Sequence, residues 1–525
     1  MIESRRSPFV ASSGSLLVLE RPQKPTIQSY LSNDLDMLNP HQASRVLRGS
    51  NAPSLFLIQY RRLHSQSARR VSTTASTEHD GFNTPVVAPT QPSISRPTSP
   101  LALLPFPTLL RSYALTALSS YPLLLVPSLR LLSFVAHSPS ALLNPDRNPL
   151  LHWLLKKTFY AQFCAGENAT EVQMTVRRLK NMGYKGVILA YGKEIVLEKG
   201  EKVKASSAST SEILATERDI QAWKEGTMKT VEMAEEGDFI GLKFSGAGRE
   251  TMRQLAAEAP PSKVIENATS EICDLADARG VRLLFDAEQD AVQRGIDAWT
   301  LRFQRRYNKS TVGKATVYGT YQAYLRSTPT TLARDLAVAK REGFTLGVKL
   351  VRGAYMGSDP RHLFWSTKAE TDEVYDSIME GLVQRKWNHV LKPTINEGSD
   401  GMAEVAFVLA SHNHETVRKA MLIRKDQTDR GAGKIDMAYG QLMGMADEVS
   451  CELVMAAKAR GMAAVEKSDC AGPKAYKYLV WGSVGECLKY LVRRAEENRD
   501  AVTRAKGTRI ALRTELSRRI RGYGS

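Results

Sequence analysis

The feature that most constrains the fold is a repeated alternation of short apolar runs and longer amphipathic segments, which begins near residue 160. Segments such as 329–343 and 415–426 space their apolar residues as surface helices do. Strands that alternate with helices pair in parallel. The pattern therefore predicts an α/β fold, a (β/α)8 barrel of the TIM type, with an open doubly wound sheet as the alternative. The eight apolar runs are 186–194, 238–246, 281–289, 315–321, 346–355, 404–413, 435–444 and 476–482.

Each predicted strand begins with apolar residues and ends with polar ones. In a parallel barrel the carboxyl ends of all strands meet at one mouth, where catalytic residues collect. Asp286 and Lys349 have apolar or β-branched neighbours, and a buried unpaired charge is costly. We therefore expect them to bind a ligand, or each other in a purely structural network. The other polar residues at strand ends are Glu194, Lys243, Glu288, Gln322, Arg352, Ser411, His412, Asn413, Gln441 and Tyr478.

The segment 486–500 predicts a helix with two different faces. Adjacent arginines beside a tyrosine can form a carboxylate clamp, because guanidinium groups bind oxyanions through two parallel hydrogen bonds. The alternative is a solvated face stabilised by an ion pair within the helix. The packing face holds Leu488, Leu491, Val492 and Ala495, and the opposite face holds Tyr490, Arg493, Arg494 and Glu497.

The net charge of +17 lies mostly at the two ends of the chain. Residues 1–100 contain 11 Lys or Arg and 6 Asp or Glu, and residues 501–525 contain 7 and 1. This distribution argues against a nucleic-acid-binding core. Residues 37–77 hold six arginines, many serines and no acidic residue, which is typical of a mitochondrial transit peptide. We predict a disordered transit region at 1–77, a Ser/Thr/Pro-rich linker at 78–100 and a basic tail at 501–525.

Residues 101–160 predict an N-terminal helical segment, followed by the barrel at 161–500. The first part of this segment is rich in leucine, and 18 uncharged residues separate Arg111 from Arg130. That length nearly reaches a membrane span, but two prolines and several serines and tyrosines interrupt it. We therefore expect apolar helices that pack on the barrel or lie at a membrane surface.

The sequence predicts neither a metal site nor a Rossmann-type nucleotide site. The five cysteines are far apart and show no metal-ligand spacing, which favours buried thiols in a reducing compartment. No GxGxxG sequence follows a predicted strand.

Five sequence blocks resemble the signature blocks of proline dehydrogenases, and the lead-in at 144–168 resembles the mitochondrial, fungal-type branch of that family. The resemblance implies a barrel that binds FAD and oxidises L-proline to Δ1-pyrroline-5-carboxylate. It also implies that electrons pass to a membrane quinone such as ubiquinone. The blocks are DAEQ at 286–289, YGTYQAYL at 318–325, KLVRGAY at 349–355, YGQLMGMAD at 439–447 and YLVRRAEEN at 490–498.

The resemblance assigns roles to the polar residues identified above. Asp286 and Lys349 become the catalytic residues beside the flavin. The substrate-binding set places Tyr478 and Tyr490 on the proline ring and cations on its carboxylate, namely Lys243, Arg493 and Arg494. The FAD-binding set is Ala287, Gln322, Lys349, Val351, Arg352, Gly353, Ala354, Ser411, His412 and Glu497.

Two alternatives differ from this interpretation in substrate or in activity. A hydroxyproline dehydrogenase of the same superfamily is disfavoured, because Tyr478 would crowd a hydroxyl group on the ring. A non-catalytic mitochondrial barrel associated with a membrane is disfavoured, because the set of cations is intact. The resemblance implies a location at the matrix side of the inner mitochondrial membrane, with no nucleic-acid partner.

Overall fold

The structure is a computed structural model. The predicted transit region and nearly all of the predicted linker lie outside the residues that it describes. The described residues are 99–192, 210–394, 401–463, 472–498 and 502–522, apart from positions 120, 139, 141 and 310.

Eight parallel strands close into one barrel, and each strand pairs with its neighbours in chain order. Each predicted apolar run overlaps one strand, so the predicted (β/α)8 barrel is confirmed and the open sheet is wrong. The strands are β1 (Gly186–Tyr191), β2 (Phe239–Leu242), β3 (Arg282–Phe285), β4 (Val317–Gln322), β5 (Leu346–Val351), β6 (Val405–Ala410), β7 (Asp436–Leu442) and β8 (Ala475–Trp481).

Helices form a layer around the barrel. The main helices are α1 (Phe106–Ser119), α2 (Pro122–His137), α3 (Pro149–Leu155), α4 (Ala169–Met182), α5 (Thr210–Met233), α6 (Arg249–Ala256), α7 (Lys263–Ala278), α8 (Asp290–Tyr307), α9 (Thr328–Glu342), α10 (Lys368–Gln384), α11 (His414–Asp429), α12 (Asp447–Ala463), α13 (Val484–Asn498) and α14 (Val502–Ile520).

Side chains along each strand alternate between the barrel interior and the helical layer, as the two-residue period of a strand requires. On β8, Tyr476 and Tyr478 belong to the interior cluster, whereas Leu479 and Trp481 pack among the helices. Both faces of the sheet are therefore covered, which explains why the strands are continuous apolar runs.

Aromatic side chains fill the barrel at the amino-terminal ends of its strands. The Phe239 ring packs edge-on against Tyr318 and Tyr476, with ring centroids 5.5 and 5.1 Å apart. The Arg282 guanidinium lies 3.6 Å from the centroid of the Phe239 ring. Because this end is filled by side chains, a ligand can enter only at the carboxyl ends of the strands.

The N-terminal segment packs against the barrel through several leucines. Leu109 on α1, Leu132 on α2 and Leu155 on α3 are buried, as is Leu516 on α14, which packs against α1. Among the described helices, none combines the length and the apolar character needed to cross a bilayer. The interpretation of 101–135 as helices packed on the barrel agrees with this arrangement.

Candidate active site

Asp286 and Lys349 form a buried ion pair inside the barrel. The Lys349 Nζ donates to Oδ1 of Asp286 at 2.5 Å, and both side chains are less than a tenth exposed. Tyr478 donates its hydroxyl to Oδ2 of Asp286 at 2.7 Å, and Lys349 Nζ lies 5.2 Å from the centroid of the Tyr478 ring. The two buried charges singled out in the sequence therefore contact each other and share a tyrosine from β8.

A glycine on β2 makes room for this tyrosine. A Cβ atom placed on Gly241 would lie 2.7 Å from the Tyr478 hydroxyl and 3.2 Å from its ring carbons. A glycine inside a strand often indicates such a close approach. The sequence Phe239-Ile-Gly-Leu contains this signal, although it does not show that the partner lies on β8, one strand beyond β1.

Lys243 and Tyr490 bring β2 and α13 together at the mouth. The Lys243 Nζ lies 5.9 Å from the centroid of the Tyr490 ring, which is buried. The backbone N–H of Asp286 donates to the carbonyl of Leu242 at 2.8 Å, so Lys243 and Asp286 follow paired strands at the same end. The interpretation of the Tyr490 face of α13 as solvated is wrong for Tyr490. The side chains of Arg493, Arg494 and Glu497 lie outside the described part of the structure.

Arg352 is held in place by three residues from the helical layer and from the end of β6. Its Nε donates to Asp372 at 2.7 Å, Nη1 to Ser411 at 2.8 Å and Nη2 to Thr416 at 3.0 Å. The guanidinium also lies 4.2 Å from the centroid of the Tyr375 ring. Arg352 and Ser411 are among the residues predicted from the sequence, whereas Asp372 and Thr416, which lie in α10 and α11, are not.

The carboxylate of Asp372 keeps its charge in this network. Burial opposes that charge, but hydrogen bonds from Lys368 and Arg352 outweigh it and lower the pKa of Asp372. Arg352 is therefore fixed by a charge-assisted hydrogen bond, and it orients the Ser411 hydroxyl in turn.

Gly353, at the end of the KLVRGAY block, occupies a position that only glycine fits. Its φ of +136° lies in a region that other residues rarely adopt, and a Cβ there would lie 1.4 Å from the Tyr324 ring. The glycine therefore lets the loop after β5 pass directly over an aromatic ring. Tyr324 is fixed by its hydroxyl, which donates to Asp359 at 3.2 Å.

The other residues of the predicted FAD set lie around the same mouth. Gln322 donates from Nε2 to the carbonyl of Glu288 at 3.3 Å. The Nε2 of His412 accepts a hydrogen bond from the backbone N–H of Leu442 at 3.1 Å. Ala287 is buried, and Val351 and Ala354 are half-buried.

Gln441 is the last residue but one of β7, and it does not face the mouth. Its Nε2 donates to the carbonyl of Ser411 at 3.2 Å, and its Oε1 accepts from the hydroxyl of Ser450 on α12 at 3.2 Å. Gln441 is therefore a polar residue near a strand end that does not join the site. The alternation of side chains turns it toward the helical layer.

A separate polar cluster lies on the outer side of β4. Tyr321 donates to Asp335 at 2.9 Å, Arg334 donates to the other oxygen of Asp335 at 2.8 Å, and Gln293 donates to Asp297 at 2.7 Å. Burial and the neighbouring Asp335 raise the pKa of Asp297 to about 7. Because Tyr321 points away from the interior, this cluster is not part of the mouth.

Comparison with known proteins places these residues in a family. The proline dehydrogenase family model matches residues 172–506. Proline dehydrogenase 1 (mitochondrial) of Drosophila melanogaster is 30% identical over 372 residues, which are 67% of this chain and 50% of that protein. A probable mitochondrial proline dehydrogenase of Schizosaccharomyces pombe is 29% identical over 69% of this chain and 80% of that protein. Hydroxyproline dehydrogenase of Bos taurus is 27% identical over 71% of this chain and 83% of that protein.

The chain spans half or less of the length of the animal proline dehydrogenases that it matches, 50% of the fly protein and 37% of the Caenorhabditis elegans protein. In structure it is similar to proline utilization A of Bdellovibrio bacteriovorus, with a TM-score of 0.51 at 17% identity, over 71% of this chain and 36% of that one. This likeness concerns the fold alone. Because the family model covers more than half of the sequence, the chain belongs to the proline dehydrogenase family.

Proposed function

We propose that the protein is a flavin-dependent dehydrogenase that oxidises L-proline to Δ1-pyrroline-5-carboxylate. This reaction removes a hydride from the ring carbon next to nitrogen that carries no carboxylate, and the neutral ring nitrogen releases a proton to water. FAD would supply the hydride acceptor, and a membrane quinone such as ubiquinone would be the final electron acceptor. The observation that carries the proposal is the grouping of Asp286, Lys349 and Tyr478, with Lys243 and Tyr490 beside them, in a chain of this family.

The residues at the mouth fit a flavin. Two hydroxyl groups there, Ser245 Oγ and Thr320 Oγ1, are buried and have no hydrogen-bond partner within the described residues. A buried hydroxyl without a partner costs about 1–3 kcal/mol, which a bound polar ring would relieve. The contacts of Arg352 with Asp372, Ser411 and Thr416 use three of its five N–H groups, so donors remain for a phosphate or a ring oxygen.

We assign the holding of FAD to the predicted set, with Gln322, Lys349 and Arg352 among its polar members. When bound, the flavin supplies the hydride acceptor, and the protein supplies position and electrostatics. Asp286 fixes Lys349 and Tyr478 in one orientation through its two carboxylate oxygens. A site fixed in this way loses little free energy to reorganisation when its ligands bind.

The substrate would be held by its carboxylate and by its ring. We assign the carboxylate to Lys243, Arg493 and Arg494, because each charge-assisted hydrogen bond contributes about 1.5–3 kcal/mol. We assign the packing contacts with the proline ring to Tyr478 and Tyr490. Proline in neutral water is a small zwitterion, so several such bonds are needed to compete with water for its carboxylate.

Hydroxyproline is the alternative substrate, since hydroxyproline dehydrogenase of Bos taurus is among the similar proteins. The position of Tyr478 favours proline. Its hydroxyl is fixed on Asp286, and Gly241 allows the ring to lie close to β2, so the ring cannot turn away without losing a buried hydrogen bond. A hydroxyl on the substrate ring would therefore meet a fixed aromatic side chain.

Steady-state turnover tests the proposal. FAD-loaded protein is given L-proline or trans-4-hydroxy-L-proline with a soluble quinone, and the loss of quinone absorbance is followed. We expect kcat/KM for L-proline to be at least about tenfold higher, which corresponds to about 1.4 kcal/mol in transition-state binding. A preference for hydroxyproline would replace the substrate assignment. Absence of turnover with either substrate would instead favour the non-catalytic barrel.

The quinone acceptor implies contact with a membrane, and α3 offers a surface for it. Leu150, Trp153 and Leu154 are 74%, 58% and 49% exposed and lie on one face of this helix. Lys157 is exposed one turn further on. Residues 99–163 contain five Lys or Arg and one Asp or Glu. An apolar helix face flanked by cations suits the surface of an anionic bilayer.

This surface lies close to the proposed site. Asp146, just before α3, accepts hydrogen bonds from the Ser483 hydroxyl at 3.0 Å and the Gly485 N–H at 2.9 Å, at the start of α13. Because α13 carries Tyr490, a bilayer on α3 would bring a dissolved quinone to the side of the mouth. We therefore propose the matrix face of the inner mitochondrial membrane as the location, in keeping with the mitochondrial relatives.

Vesicle flotation tests the membrane surface. The full chain is mixed with phosphatidylcholine vesicles with or without cardiolipin. We expect binding that needs cardiolipin and falls at least about fivefold in the triple variant Leu150→Ser/Trp153→Ser/Leu154→Ser. Leu422→Ser is the control, because Leu422 is 66% exposed on α11. Equal losses in both variants would exclude α3 as the docking surface.

A further inference from the structure

Thr320 lies on β4, at the level of the Asp286–Lys349 ion pair on the two neighbouring strands. In the parallel pairing of β4 with β5, Thr320 is opposite Lys349. On the other side of β4, Phe285 is opposite Gly319, so Asp286 follows at the level of Thr320. The salt bridge from Asp286 to Lys349 therefore crosses β4 at the height of Thr320.

The side chain of Thr320 faces the barrel interior. Its neighbour Tyr321 points outward to α9, and Tyr318, two residues earlier, belongs to the interior aromatic cluster. Since successive side chains of a strand alternate, Thr320 shares the interior face with Tyr318 and Gln322. Gln322 is the next interior residue toward the mouth and belongs to the proposed flavin set.

The hydroxyl of Thr320 is left out of the network around it. The residue is 7% exposed, and within the described residues its Oγ1 has no hydrogen-bond partner. Both oxygens of Asp286 are used by Lys349 and Tyr478. Buried hydroxyl groups are nearly always hydrogen-bonded, so an orphan at a ligand site indicates that a ligand atom or a water molecule completes it.

The position of Thr320 favours the flavin over the substrate as its partner. The substrate carboxylate is assigned to cations on β2 and α13, whereas Thr320 lies between β3 and β5. The nearest members of the proposed flavin set, Gln322 and Lys349, lie on its own strand and on the neighbouring one. A flat ring with polar edges, placed against these two residues, would extend toward the Thr320 hydroxyl.

We propose that Thr320 is a flavin-contacting residue whose hydroxyl donates a hydrogen bond to a polar atom of the isoalloxazine ring. This inference rests on the proposed function, because it needs FAD in the mouth. It adds to the flavin set a residue of the YGTYQAYL block to which the resemblance assigned no role. It also explains why a barrel interior carries a polar side chain that nothing in the described protein satisfies.

Thr320→Val tests this role, because valine keeps the shape of threonine and lacks the hydroxyl. In the apoprotein the change removes an unsatisfied polar group, so the melting temperature should stay the same or rise. In the flavoprotein the change removes a hydrogen bond, so the dissociation constant for FAD should increase about 3- to 10-fold. The visible absorption bands of the bound flavin should shift, because a ring atom loses its donor. If Thr320 were needed only for folding, Thr320→Val would lower the melting temperature of the apoprotein.

Two further variants sharpen the comparison. Thr320→Ser keeps the hydroxyl and should restore FAD affinity to within about twofold. Thr269→Val is the control for a buried threonine far from the mouth, since Thr269 Oγ1 donates to the Ile265 carbonyl at 2.7 Å inside α7. It should lower the melting temperature and leave FAD affinity unchanged. If Thr320→Val does not fold, Thr320→Ala is titrated in its place, and Thr320→Ser again provides the rescue.

The outcomes separate this inference from the proposed function. If the wild type binds FAD and is reduced by L-proline, but Thr320→Val matches it in FAD affinity and spectrum, the inference is overturned and the proposed function stands. A water molecule would then complete the hydroxyl. If the wild type binds no FAD, both are overturned. Weaker binding by Thr320→Val, with rescue by Thr320→Ser and a normal apoprotein, supports the contact.

Discussion

Neutralising Asp286 tests whether the centre of the mouth is a tightly coupled buried pair. In Asp286→Asn the ammonium of Lys349 loses its counter-charge, while both positions remain less than a tenth exposed. Removing one member of a buried ion pair costs about 3–5 kcal/mol, because the other charge stays without compensation. The amide oxygen can still accept one hydrogen bond, so we expect a loss near the lower limit, about 3 kcal/mol. Urea unfolding of the apoprotein, followed by tryptophan fluorescence, measures it.

An exposed pair provides the matched control. Lys425 donates to Asp429 on α11 at 2.5 Å, the same distance, but these side chains are 60% and 56% exposed. Asp429→Asn should therefore change the free energy of unfolding by no more than about 0.5 kcal/mol. The double variant Asp286→Asn/Lys349→Met removes both charges and should be more stable than Asp286→Asn alone. Equal losses for Asp286→Asn and Asp429→Asn would show that burial does not strengthen the Asp286–Lys349 pair. A double variant no more stable than Asp286→Asn would show that the unpaired ammonium carries no penalty.

Three further predictions address substrate, pH and backbone. Arg493→Ala or Arg494→Ala should raise KM for L-proline at least about tenfold with unchanged FAD content, and loss of flavin at unchanged KM would contradict the clamp. The pKa of Asp297 is raised to about 7, so at pH 5 the folded protein holds a proton on this carboxyl that the unfolded chain has already released. The free energy of unfolding should therefore fall between pH 5 and pH 8. Asp297→Asn should lack this part of the fall. Gly353→Ala should lower both the melting temperature and the affinity for FAD, because the added Cβ would overlap the Tyr324 ring. Gly357→Ala should change neither, because a Cβ added at Gly357 would have no neighbouring atom within 4 Å.

The fold could be predicted because it depends on patterns that are local in the sequence. Apolar runs such as 346–351 are long enough to identify a strand, and the alternation with helices limits the pairing to parallel. The carboxyl ends of parallel strands lie together, so Asp286 and Lys349 could be assigned to one mouth from the order of the strands alone. Their direct contact at 2.5 Å follows from the ring of strands that places β3 and β5 on either side of β4.

The rest could not be predicted because it depends on contacts between distant parts of the chain. Arg352 is fixed by Asp372 and Thr416, which are ordinary polar residues on amphipathic helices when only the sequence is read. Gln441 lies near the end of β7, but the alternation of side chains along the strand turns it to the helical layer, where it contacts Ser450. The orphan hydroxyl of Thr320 has no sequence signal, since a threonine in a strand is common.

Anaerobic mixing of the FAD-loaded protein with L-proline is the most direct test of the central claim, that one mouth holds proline against a flavin. No nicotinamide cofactor or quinone is added, and the visible absorption of the flavin is followed. We expect L-proline to bleach the two visible bands of the bound flavin and an added quinone to restore them. Bands that persist when L-proline is added to protein with bound FAD would contradict it.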